Sequence, residues 1–75
     1  TERFKRISDW RERLIAEGAT ALAELARWRP DIDRAQWAGR VSAAQAERAR
    51  AAGAGAGAAA RELFRALRAL FDTMP

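Results

Sequence analysis

The sequence predicts an all-α fold, an antiparallel helical hairpin whose second arm overhangs the first. Three observations carry this. Apolar residues recur at steps of three and four in both halves of the chain, the period of one helix face. A turn marked by Pro30 separates the two halves. Between Val41 and Leu63 there is no large apolar side chain, only Ala, Gly and Ser broken by Gln, Glu and Arg. A helix of that composition packs by letting another backbone come close, or it stays solvated.

The first arm is predicted over residues 2–29. Phe4, Ile7, Leu14, Leu22 and Leu25 form its stripe, running through Arg11 and Gly18, and Ile15 widens it. Glu2–Arg6 and Asp9–Arg13 are favourable i,i+4 pairs worth ~0.3 kcal/mol each. Pro30 disfavours helical geometry at Arg29, so the helix ends there. The main alternative is a break near Gly18 with Thr20 capping a second short helix. The apolar phase, continuous across the glycine, favours one helix.

The turn spans residues 30–32 and the start signal after it is complete. Asp33 caps the next helix, and Gln36 stands three residues on, where a capping box wants Glu or Gln. Ile32 and Trp37 match a hydrophobic staple. Asp31 is the alternative cap, two residues earlier. Trp37-Ala38-Gly39 resembles, over three residues, the Trp-x-Gly turn of small secreted helical-hairpin proteins. The capping signals place it inside the second helix, and no function is carried over from the resemblance.

The second arm is predicted as one long helix over residues 34–72. Ala49, Gly53, Ala56, Ala60, Leu63, Leu67 and Leu70 keep a three/four rhythm through the GAGAGA run, while Arg61, Arg65 and Arg68 hold another side. Three interior glycines disfavour helix by ~1 kcal/mol each relative to Ala. A flexible Gly/Ala linker joining two helices is the competing reading, and the preserved phase favours continuity.

Folded at the turn, the bulky residues of the first arm meet the small track of the second, with Leu22 near Ala44 and Leu14 opposite Ala52. Trp28 and Trp37 flank the turn and are expected to stack in the core. At ~1.5 Å per residue the first arm is about 40 Å long and the second nearly 60 Å. The overhang carries Leu67, Leu70, Phe71 and Met74, with nothing in the hairpin to cover them. The expectation is therefore a protein partner, either another copy or a larger complex. The contact residues are Leu63, Phe64, Leu67, Leu70 and Phe71, ringed by Arg61, Arg65 and Arg68, with Trp10 as a further contact. On this reading Leu67→Asp or Phe71→Asp abolishes association and leaves most helicity.

Composition narrows the function classes. Of the 37 residues counted as hydrophobic, 20 are Ala, so the core is small and residues 1–75 are expected to form one small helical domain. Thr1 at the start fits both a native terminus after loss of the initiator Met and a trimmed domain. The chain has no Cys and no His, which removes thiolate and imidazole metal sites and fits a reducing, cytoplasmic setting. Lacking Tyr as well, it has no group placed for acid–base work at neutral pH, so neither catalysis nor a cofactor is expected. GAGAGA has neither the Lys-Ser/Thr nor the preceding strand of a phosphate loop. The first 25 residues interleave charge with apolar residues, unlike a secretory signal or a spanning helix.

The net charge of +4 is spread evenly, seven basic and five acidic residues in each of 1–30 and 31–75. The expected function is a small, alanine- and arginine-rich accessory or assembly subunit that docks through its C-terminal amphipathic helix. Two alternatives stand beside it. Arg27, Arg29, Arg34 and Arg40 around the turn, with Arg48 and Arg50, fit a nucleic-acid binder, although Asp31 and Asp33 sit among them. Residues 60–71 fit a cationic amphipathic membrane-surface helix, diluted by Glu62 and Asp72.

Overall fold

The structure, a computed structural model, describes residues 1–51 and 57–73. Four helices account for most of it: α1 (Glu2–Glu17), α2 (Ala19–Trp28), α3 (Arg34–Arg50) and α4 (Ala58–Asp72), with no strand among the described residues. None of these helices is long and apolar enough to cross a membrane.

The helix predicted over 2–29 is two helices. Thr1 caps α1 by accepting from the Phe4 N–H at 3.4 Å. The chain then breaks at Gly18, whose φ of 59° and ψ of −120° form a backbone state that a side chain disfavours. The break is a reversal. Arg13 on α1 pairs with Glu24 on α2, and Trp10 and Trp28 line the same cleft. Thr20 is not the cap; Gly18 occupies that position without a side-chain bond. The amide of Gln45, from α3, donates to the Ile15 carbonyl at 3.0 Å, next to the break.

The turn after α2 agrees with its signals. Asp33 caps α3 and accepts from the Gln36 N–H at 3.1 Å, Trp37 is buried, and Ile32 packs against the core. The predicted Trp28–Trp37 stack does not form. Trp28 is 68% exposed, and the Trp37 ring has the Arg40 guanidinium 5.3 Å from its centroid. Trp28 closes the last turn of a helix that has already folded back, so it reaches the rim of the core and not its centre.

The single helix predicted over 34–72 is also two. α3 ends at Arg50, Ala51 lies in a turn, and Gly57 is extended (φ −92°, ψ −170°) before α4 begins. Of the choice between helix and linker at residues 53–57, only Gly57 is described, and it is extended; residues 52–56 lie outside the described residues, and so does the Leu14–Ala52 pairing. One helix over 34–72 would be nearly 60 Å long, whereas the longest dimension of the fold is 38 Å.

Instead α4 returns and packs on α1 and α3. Arg3 pairs with Asp72 while Arg11 lies further along against Phe64, so α1 and α4 run antiparallel. Leu63 and Leu67 are completely buried and Leu70 is 9% exposed, in one cluster with Ile7, Leu14, Leu22, Leu25 and Val41. There is no overhang, and the ridge expected to need a partner is covered by the chain itself. Each buried leucine is worth about 1.5–3 kcal/mol, and the turned-back helix obtains that within one molecule. Met74 lies outside the described residues.

Two side chains remote in sequence hold the ends of α4. At its N-terminus the Glu47 carboxylate accepts from the N–H groups of Ala59 (2.9 Å) and Ala60 (3.1 Å). A Cβ at Gly57 would run into that carboxylate, so the glycine keeps the cap's seat open. At the C-terminus Arg29 donates to the Leu70 carbonyl and, at 3.1 Å, to Thr73 Oγ1, while Asp31 grips the same guanidinium at 2.9 and 2.7 Å. Negative charge at the start of a helix and positive charge at its end both oppose the helix dipole.

A pH dependence follows. The Ala59 and Ala60 N–H bonds hold the Glu47 carboxyl below its ordinary value of 4.5, and Arg48 does the same for Glu12. A carboxyl depressed by folding stabilises fully above its unfolded value and loses that contribution as pH falls through the folded one. The expected result is a thermal midpoint that drops as pH falls below about 4.5. Glu47→Gln, measured by circular dichroism across the same range, has a lower midpoint at neutral pH and a shallower acid slope.

Gly39 offers the opposite change. It lies within α3, and a Cβ there meets nothing within 4 Å. Gly39→Ala is expected to add about 0.5–1 kcal/mol by helix propensity, read as a higher urea midpoint with an unchanged slope.

Candidate functional site

The residues expected to form one docking ridge are divided among three places. Leu63, Leu67 and Leu70 are in the core. Arg61, Arg65 and Arg68 are exposed on the outside of α4, beside the half-buried Phe64. Phe71 and Trp10, both half-buried, face a cleft elsewhere. Helical spacing explains the division: residues 63, 67 and 70 share one side of α4, and the arginines fall on the other.

The outer face is built by α1 and α4 together. Phe64 stacks on Phe4, centroids 5.7 Å apart and planes 27° apart, although Phe4 remains 53% exposed. The Arg11 guanidinium lies 5.6 Å from the Phe64 centroid and that of Arg68 lies 6.0 Å from Phe4. Arg65 bonds Glu62 at 3.0 Å, one turn away and in water, which leaves it free to exchange partners. The result is a stacked aromatic pair bordered by guanidinium groups.

The cleft lies between α1, α2 and the end of α4. Trp10, Trp28 and Phe71 wall it over Leu25, and it encloses about 330 Å³. Arg6 stands at its edge, and Arg13 lies 4.8 Å from the Trp10 ring centroid. Phe4, Trp28 and Arg6 were missed by sequence reasoning as surface residues. The signal for the cleft existed: Trp10 and Trp28 stand eight residues before and ten after Gly18, at similar heights once the chain reverses there.

Most carboxylates are committed locally. Asp9 pairs with Lys5, Glu12 with Arg48, Glu24 with Arg13, Asp31 with Arg29 and Asp72 with Arg3. Asp33 and Glu47 cap helices. The surplus charge is therefore displayed as arginine. Among the described residues Arg6, Arg27 and Arg34 have no carboxylate partner, so the predicted Glu2–Arg6 pair does not form, and no cluster of acidic residues fit for a metal ion occurs. Two aromatic surfaces in a positive field suit recognition of an anionic partner and contain no nucleophile–base pair.

The family described as "Dual-action ribosomal maturation protein DarP" matches residues 1–68. The chain belongs to that family. Among DarP proteins, that of Stenotrophomonas maltophilia (strain K279a) is 49% identical over 65 residues, 87% of this chain and 32% of the relative. Those of Xanthomonas campestris pv. campestris (strain 8004) and Xanthomonas oryzae pv. oryzae (strain PXO99A) are 48% and 46% identical over the same coverage. The chain thus spans about a third of the length of the curated DarP relatives it matches. The family's description is of a maturation protein and not of an enzyme. No solved structure matches the chain.

Proposed function

We propose that this chain is a non-catalytic docking module of a ribosomal maturation factor. It attaches to a ribonucleoprotein particle during assembly, in the cytoplasm where such particles are put together. Residues 1–75 act as one domain. Docking runs through the outer face of the C-terminal helix, where Phe64, stacked on Phe4, is bordered by Arg61, Arg65 and Arg68. Leu63, Leu67 and Leu70 contribute by fixing that helix, and Trp10 and Phe71 meet the particle on the adjoining side.

The observation that supports this reading is the pairing of DarP membership with an arginine-bordered aromatic surface whose apolar support is already satisfied inside the chain. A particle rich in phosphate is met by exposed arginines on that face, and the water-exposed pair of Arg65 with Glu62 can exchange for a phosphate contact. The test is co-sedimentation with purified ribosomal subunits across salt concentration. Arg65→Glu/Arg68→Glu is expected to weaken binding at least about tenfold and flatten the salt dependence, with circular dichroism unchanged. Undiminished binding by that folded variant overturns the assignment of the docking face.

A further inference from the structure

We propose that the cleft walled by Trp10, Trp28 and Phe71 receives one unpaired nucleobase of an RNA strand, stacked on the Trp28 indole, with an adjoining phosphate on Arg6. The inference rests on the ribonucleoprotein reading above and adds a defined subsite to it.

Three aromatic side chains from three different helices converge there over Leu25, around about 330 Å³ of open space. Trp28 is 68% exposed in a chain that buries Trp37 to 4%, so the fold had a way to cover an indole and left this one uncovered. An exposed flat ring beside an unpaired guanidinium matches the two parts of a nucleotide, a π face and an anion. The charges that face the cleft assign the phosphate to one edge. Arg29 is already held by Asp31 and spent on the Leu70 carbonyl. Glu24 repels phosphate from its own edge and is bonded by Arg13. Arg6 has no carboxylate partner among the described residues, and the strand passes on its side.

A protein occupant suits this surface less. Specific protein interfaces bury roughly 800 Å² per partner around an apolar centre. Among the described residues the large hydrophobics left exposed are Phe4 and Trp28, and the cleft holds only one of them. One ring is too little for an interface of that kind and sufficient for one stacked base.

The experiment uses the 75-residue chain, its tryptophan fluorescence, and a short single-stranded oligoadenylate compared with an abasic ribose-phosphate strand of equal length. Oligoadenylate is expected to quench, and the abasic strand to bind more weakly without quenching. Trp28→Ala, which removes an exposed ring and spares the core, is expected to weaken oligoadenylate binding about 5- to 100-fold, with Trp28→Phe recovering most of it. Arg6→Gln is expected to lower the salt slope by about 0.7, the share of one phosphate on a single strand. Equal affinity for the abasic strand, or an unchanged affinity in Trp28→Ala, overturns the base site. A concentration-dependent molar mass that Trp28→Ala abolishes also overturns it, and assigns the cleft to a second copy. Co-sedimentation of Trp28→Ala with ribosomal subunits separates the two readings: retained binding alongside a failed oligonucleotide assay sinks the base site and leaves the docking module standing.

Discussion

Leu67→Asp is expected to unfold the chain, not merely to detach it from a partner. Leu67 is completely buried in the cluster where α4 meets α1 and α3, so a carboxylate there has neither water nor a cation. A chain of 75 residues has a total stability of about 4–11 kcal/mol at typical values per residue. The milder Leu67→Ala removes the transfer energy of the side chain and leaves a cavity, a loss of about 2–5 kcal/mol. That is a large part of the whole and lowers the melting temperature by roughly 10 °C or more for a domain of this size. Circular dichroism and urea titration check both. The hairpin reading requires the opposite outcome for Leu67→Asp, lost association with helicity retained. Phe71, half-buried at the mouth of the cleft, tolerates Asp better, so Phe71→Asp is the more informative binding variant.

The contrast between Leu67 and Phe71 shows what was legible in the residues. Several local signals were sound: the Asp33 cap, the inward placing of Ile32 and Trp37, the end of α2 before Pro30, and the apolar side of α4. The i,i+4 pairs were not, since Asp9 goes to Lys5 and Arg13 to Glu17 and Glu24. The signals also found the correct residues for a ridge, since Leu63, Leu67 and Leu70 do share one side. They could not say whether the side closes on another molecule or on its own, because that depends on where the chain reverses. A three/four rhythm that continues across a glycine reads as one helix. The same rhythm arises when two separate helices each turn an apolar side to one shared core. Phase is therefore blind to a reversal, and at Gly18 it preserved the appearance of a straight arm. The end clamps of α4 were hidden for a related reason. Glu47 and Arg29 look like ordinary helix-surface charges until folding brings them to the termini of a third helix.

Gly18 is where that blindness can be tested with one methyl group. Gly18→Ala is expected to destabilise the chain by about 2–4 kcal/mol, in two separable parts. One is backbone strain: a side chain at φ 59°, ψ −120° costs about 1–3 kcal/mol. The other is contact, because the new Cβ lies 2.9 Å from Nε2 of Gln45. That amide can swing away only by giving up its 3.0 Å bond to the Ile15 carbonyl, a loss of about 1 kcal/mol. Gln45→Ala should therefore make the contact part vanish while the strain stays. In a double-mutant cycle the two substitutions fall short of additivity by about 1 kcal/mol. Set beside Gly39→Ala, the same chemical change reverses sign, because at position 39 the backbone is helical and the space is empty. If Gly18→Ala instead raised stability, as Ala does inside a continuous helix, α1 and α2 would be one straight arm. The return of α4 onto α1, the cleft between Trp10 and Trp28, and the burial of Leu67 would then all fail together.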